Sequence, residues 1–198
     1  MKYLFQNALL LPEYGIEGHA FVATDGRSIS YVGAQKPSGS FDRVIDCRGN
    51  LLMPAFYNSH CHAAMTLFRG FGEDLPLRRW LNEKILPAED RLTDDAVYWA
   101  SVLAIAEMLK NGIVSFSDMY FFMSNTARAV LETGVKANLS RSLVSFDPDI
   151  DMDADTRMKE AMALVREYHG AGDGRIKADM SLHAEYTNVE KACRYVAD

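Results

Sequence analysis

His60, Cys61 and His62 follow the apolar run Leu51-Leu52-Met53-Pro54-Ala55-Phe56 with only Tyr57-Asn58-Ser59 between. In extended backbone successive side chains alternate in direction, so histidines two apart project toward one point while the cysteine between them faces the other side. Imidazole nitrogen suits zinc, iron and similar divalent ions, and a catalytic metal needs few protein ligands plus an open position for water. His60 and His62 are therefore a ready pair of metal ligands, or two histidines at a strand end with unrelated partners; the short motif alone does not separate the two readings.

The elements that must carry this pair fall into two styles. Up to residue 50 the chain reads as short strands, Tyr3 to Leu11, Ala20 to Thr24, Ser28 to Val32 and Val44 to Asp46, with a hairpin turn expected at Asp25-Gly26 and a loop at Lys36-Pro37-Ser38-Gly39-Ser40. From Leu51 onward short apolar strands alternate with helical patterns. Thr93 is an expected N-cap, with Asp94 and Asp95 complementing the helix dipole and a stripe of Val97, Ala100, Leu103, Ala104 and Met108 ending at Asn111-Gly112. Ile113 to Met119, Val135 to Leu143 and Arg175 to His183 read as strands. Helices are expected from about Asn125 to Gly134, over Met158, Ala161, Met162, Val165 and Tyr168, and from Asn188 onward.

Counting the strand before His60, this makes four β-then-α units in tandem, a pattern that builds parallel strands with right-handed crossovers. The fold class expected is α/β: a small β-sandwich module over residues 1–50, then over residues 51–198 the N-terminal part of a (β/α)8 barrel. A closed barrel takes about 250 residues, so the reading places roughly half of one here. A complete open sheet of four strands is the alternative.

With 198 residues, 48% of them hydrophobic and 24% charged, the chain has an ordinary globular composition and room for a sizeable core. A net charge of -6 with interspersed signs offers no basic face for nucleic acid. Cys47, Cys61 and Cys193 form no spaced framework and read as reduced packing thiols, which points to the cytoplasm. No window approaches the roughly 18 consecutive apolar residues of a membrane span, and the N-terminus has no signal-peptide pattern.

The string Leu52-Met53-Pro54-Ala55-Phe56-Tyr57-Asn58-Ser59-His60-Cys61-His62, with Met65-Thr66-Leu67-Phe68-Arg69-Gly70 and Asp74-Leu75-Pro76-Leu77-Arg78-Arg79-Trp80-Leu81 after it, resembles the amidohydrolase superfamily. Within that superfamily it is most similar to the branch of methylthioadenosine/S-adenosylhomocysteine deaminases and related chlorohydrolases. The resemblance implies a barrel enzyme whose single metal, zinc or iron, activates a water for attack on an electron-poor ring carbon. It assigns His60 and His62 to the metal. Its remaining ligands and its proton-shuttling glutamate belong to later strands, expected beyond Asp198, so no catalytic acid or base is assigned within this chain.

The same resemblance assigns three substrate contacts. Glu89 matches a glutamate that accepts hydrogen bonds from ribose hydroxyls, a task for an ionised carboxylate; its plainer reading is a solvated acid before a helix. Arg141, at a strand end, is placed to clamp a carboxylate, orient a loop or pair with a structural acid. His183, in Ser181-Leu182-His183-Ala184-Glu185-Tyr186-Thr187, aligns with a substrate-contacting histidine, but Glu185 stands where these deaminases carry proline, which points toward a different ligand. His19, His169 and Asp118 read as structural, and Phe68, Phe71 and Trp80 as loop anchors under the barrel mouth.

The activity implied is deamination of an aminated purine, nucleoside or related heterocycle. Hydrolysis of a cyclic amide or a carbon-halogen bond is the alternative on the same fold. A non-catalytic half-barrel that pairs with a partner through its open sheet edges is the alternative from another class. Expected partners are a small-molecule substrate and, through those edges or otherwise, further copies of the chain.

Overall fold

Strands β2 (Ala20–Asp25) and β3 (Ser28–Gly33) fold back on each other because Gly26 accepts a φ of 58°. Asp25 stays in the ladder opposite Ser28, so the turn is centred on Gly26-Arg27, one residue later than the Asp-Gly pair suggests. Strand β1 (Lys2–Ala8) pairs antiparallel with β2 and parallel with β4 (Arg43–Asp46), giving one sheet in the order β3-β2-β1-β4. It is a single layer of the expected sandwich. The computed structural model describes residues 1–197, and the chain forms two compact units, Met1–Ala55 and Phe56–Asp198. The expected junction after residue 50 thus falls inside the first unit.

In the second unit β5 (Phe56–Cys61), β6 (Ile113–Met119), β7 (Lys136–Ser140) and β8 (Ile176–Asp179) form a parallel sheet in sequential order. Helices α1 (Asp94–Lys110), α2 (Met123–Thr133) and α3 (Thr156–Tyr168) provide the crossovers, and α4 (Glu190–Ala197) follows β8. This is the tandem βα order of a barrel. Phe116, Ala137, Leu139, Ile176 and Ala178 are buried on one face of the sheet in a single apolar cluster with Val97, Ala104, Ile105, Val130 and Leu164 of the helices. The alternate positions Lys136, Asn138, Lys177 and Asp179 are exposed.

Local chemistry accounts for the helix ends. Thr93 Oγ1 accepts the Ala96 N–H at 3.3 Å, and the Asp155 carboxylate accepts those of Arg157 and Met158 at 2.9 and 3.1 Å, each filling a donor a first turn leaves open. Gly134, at φ 78°, closes α2 in the left-handed region.

Four expectations are corrected. Leu103 and Met162, placed by periodicity on the inner stripes of α1 and α3, are 48% and 53% exposed, while Tyr98, Ser101 and Ile105 take the inner face of α1. The strand expected over 135–143 is regular only to Ser140, and that over 175–183 only to Asp179. Beyond those points the two segments stay adjacent through single bridges, Leu143 with Leu182 and Ser145 with Asn188. Asn188 does not start the last helix: its amide donates to the carbonyls of Leu143 and Ala184, and the helix opens at Glu190. Among the described residues no helix is long and apolar enough to cross a membrane.

Candidate metal centre and substrate contacts

Strand β5 delivers the histidine pair at its C-terminal end. Its pairing with β6 is irregular between Asn58 and Cys61, where Asn58 Oδ1 accepts the His60 N–H at 3.3 Å. Irregularities of this kind re-aim side chains next to functional sites. The result agrees with the alternation argument: the rings of His60 and His62 lie together, centroids 5.1 Å apart and 76° between planes, while Cys61 turns into the core and donates to the Ser117 carbonyl at 3.4 Å. Burial pushes the Cys61 thiol up to about 12, with the Asp118 carboxylate adding to the effect, so it is inert at neutral pH.

His62 Nδ1 lies 2.7 Å from the Met119 carbonyl at the end of β6. A carbonyl only accepts, so Nδ1 carries the proton and Nε2 is left with its lone pair outward, the tautomer a metal ligand requires. Among the described residues no group of three or more His, Cys, Asp or Glu side chains converges to hold a metal. The two imidazoles therefore fit a divalent ion as two donors of a larger set.

Asp118, one residue before Met119, is 3% exposed; its Oδ2 accepts the Ala63 N–H at 3.3 Å, and its Oδ1 is buried without a partner. Desolvation raises the carboxyl to about 7 against the lowering effect of backbone N–H groups from Ala63 and Met119. It supports the turn that follows His62, where buried Ala63 and Ala64 leave room for close approach.

Glu89 ends a helical stretch over 77–89 whose middle, Leu81–Ile85, is wound as a π-turn; Pro87 just beyond cannot donate an N–H to that winding. The stretch is tied down by Trp80, whose indole donates to the Phe71 carbonyl at 3.2 Å, and Phe71 packs on Phe68 with ring centroids 6.3 Å apart. Phe68, Phe71 and Trp80, read from sequence as loop anchors, make these contacts within the loop. Glu89 is no freely solvated acid. Its Oε1 accepts the Tyr120 hydroxyl at 2.7 Å, and its pKa is raised by burial, a shift opposed by that hydrogen bond and by nearby His62. The Tyr120 ring in turn lies 5.8 Å from the His62 ring. Glu89, Tyr120, His62 and His60 thus form one contiguous group, of which Tyr120 was not singled out from sequence. Its signal was its place, immediately after a β6 strand end at the barrel's functional rim.

Arg141 and His183 lie elsewhere on the strand-end loops. Arg141 is mostly buried; Nε donates to Glu160 Oε2 at 2.7 Å and Nη1 to the Ser142 carbonyl at 3.0 Å, with the guanidinium 4.9 Å from the Phe121 ring centre. These contacts match the reading in which it pairs with an acid and orients a loop. His183 is exposed beyond the end of β8; its N–H donates to the Leu143 carbonyl at 2.9 Å and its Nδ1 lies 3.3 Å from Thr187 Oγ1. Glu185 and Tyr186 beside it are exposed. His169 caps no open site: its Nδ1 bonds the Ala178 carbonyl at 2.9 Å.

The amidohydrolase family profile matches residues 51–198, which take in the second unit and the last five residues of the first. The chain belongs to the amidohydrolase family. This amidohydrolase is 46% identical over 193 residues to a 5-methylthioadenosine/S-adenosylhomocysteine deaminase of Desulforamulus reducens, covering 94% of this chain and 43% of that protein. Its fold superposes on an adenosine deaminase from Xanthomonas campestris with bound zinc, with TM-score 0.83, 26% identity, and coverage of 98% of this chain and 46% of that one. It superposes equally on a triazine hydrolase at TM-score 0.85 and 19% identity, a likeness of fold, covering 99% of this chain and 49% of that one. The chain spans less than half the length of the curated relatives it matches.

Proposed function

We propose that this amidohydrolase is a metal-dependent deaminase that exchanges the amino group of an aminated purine nucleoside, or a related heterocycle, for oxygen and releases ammonia. The single observation that carries the reading is the His60/His62 pair, rings together at the C-terminal end of β5, with His62 held in the ligand tautomer by the Met119 carbonyl. Identity of 46% to a 5-methylthioadenosine/S-adenosylhomocysteine deaminase supports the substrate class.

His60 and His62 would hold a divalent ion, zinc first and iron as the alternative. Bound there, the metal supplies a hydroxide-like nucleophile at neutral pH by lowering the pKa of water. The chain's own residues do the positioning. Glu89 accepts from substrate hydroxyls through its free oxygen, His183 contacts the substrate from the loop after β8, and Arg141 holds the β7 end against α3 through Glu160, keeping that rim in place.

A second reading, hydrolysis of a carbon-halogen bond or a cyclic amide, draws on Glu185, an exposed carboxylate next to His183 where the resembling deaminases have proline. Strands β5 and β8 stand at the edges of the sheet formed by the described residues, which supports partnering of the sheet with further protein, including other copies of the chain. The deciding experiment is product analysis with the metal-loaded protein on 5-methylthioadenosine, S-adenosylhomocysteine, adenosine and a chlorotriazine. Ammonia from the nucleosides is the expected product; halide release or ring opening without ammonia would replace deamination with the second reading.

A further inference from the structure

We propose that Tyr120 is a positioning residue for substrate recognition: its buried hydroxyl holds one oxygen of the Glu89 carboxylate so that the other faces the vicinal hydroxyls of a ribosyl substrate. The inference rests on the substrate-binding role proposed above for Glu89. Three observations carry it. The hydroxyl donates to Glu89 Oε1 at 2.7 Å. The Tyr120 side chain belongs to the buried core, 7% exposed, and is braced edge-on by Phe121 at 5.1 Å, so the donor is already immobile before any ligand arrives. The same ring lies 5.8 Å from His62, which sets the held carboxylate at a fixed offset from the metal-ligand pair.

A glutamate at the end of a short helical stretch has three rotatable bonds, and without a fixed donor its carboxylate samples several rotamers. One hydrogen bond from a rigid aromatic removes that freedom in advance. A carboxylate offers about four acceptor directions; the phenol occupies one on Oε1 and leaves Oε2 for a hydroxyl pair. Burial and the neighbouring Glu89 carboxylate both raise the Tyr120 phenol, so it stays a donor throughout the working pH range.

The test compares kcat/KM for adenosine with that for 2′,3′-dideoxyadenosine in the metal-loaded protein, its Tyr120→Phe and Glu89→Ala variants, and the double variant. Tyr120→Phe keeps the buried ring and removes only the donor. The expected result is that each single variant lowers the preference for the ribosyl substrate by roughly tenfold, the size of one charge-assisted hydrogen bond. That loss falls in KM, with no further loss in the double variant. Replacement of Tyr120 by 3-fluorotyrosine, which keeps the ring and strengthens the donor, retains the wild-type preference. A preference lowered by Glu89→Ala but unchanged by Tyr120→Phe would overturn the role of Tyr120 alone. A preference unchanged by Glu89→Ala would overturn the substrate-binding role of Glu89 and this inference with it.

Discussion

His62 Nδ1 donates to the Met119 carbonyl at 2.7 Å, joining the end of β5 to the end of β6 through a side chain. The bond fixes which nitrogen of His62 faces outward, so the tautomer is set by the sheet and not by the ligand. Removal of the ring therefore also takes the hydrogen-bond partner from the part-buried Met119 carbonyl.

The Asp118 carboxyl makes stability depend on pH. Burial raises it to about 7 in the folded chain against about 4 when unfolded. A carboxyl raised on folding favours the fold below its unfolded value, and that contribution is lost as pH rises through its folded value. Asp118→Asn carries no charge at any pH. Urea midpoints measured on the metal-free protein should therefore show the variant gaining relative to the parent between pH 4 and 8, by an amount on the order of a few kcal/mol. A constant difference across that range would show that Asp118 is not held in its protonated form.

Asp155 works in the opposite direction. Its pKa is lowered, first by the hydrogen bond from Arg157 and further by the N–H groups at the start of α3. Its contribution is present above the ordinary carboxylate range and is lost as pH falls through the lowered value. Asp155→Ala is expected to cost about 1 kcal/mol at pH 7 through the lost N-cap, and less in acid, read from thermal midpoints at the two pH values.

Leu139 sits in the middle strand pair of the second unit, fully buried among the helices. Leu139→Ala should lower the unfolding free energy by roughly 2–5 kcal/mol in denaturant titration. A cost below about 1 kcal/mol would mean that the cluster relaxes around the cavity and that the sheet is less tightly packed than its burial indicates.

The order of elements was legible because each had a local cause. Ile113 to Met119 was delimited by Gly112 before it and the next helix after it, and α1 by Thr93 and Asn111-Gly112. The inner face of α1 was not, since Leu103 is apolar on a side the described residues leave exposed, and periodicity reports hydrophobicity without saying what covers it. The histidine pair was legible from strand alternation. Glu89 and Tyr120 were not legible as partners: 31 positions separate them, and only the π-turn before Pro87 and the end of β6 bring the carboxylate to the phenol. Arg141 reads from sequence as ligand clamp or loop brace, and its acidic partner Glu160, 2.7 Å away, was not legible because it lies on the next helix.

The central claim is that His60 and His62 hold the metal. The most direct measurement is zinc affinity, by competition with a chromophoric chelator, for the protein and for its His60→Ala, His62→Ala double variant at pH 7.5. The account predicts that the double variant loses at least tenfold in affinity for one zinc equivalent, with its fold checked by circular dichroism. Equal, tight binding of that equivalent by both proteins would place the metal elsewhere and contradict the account.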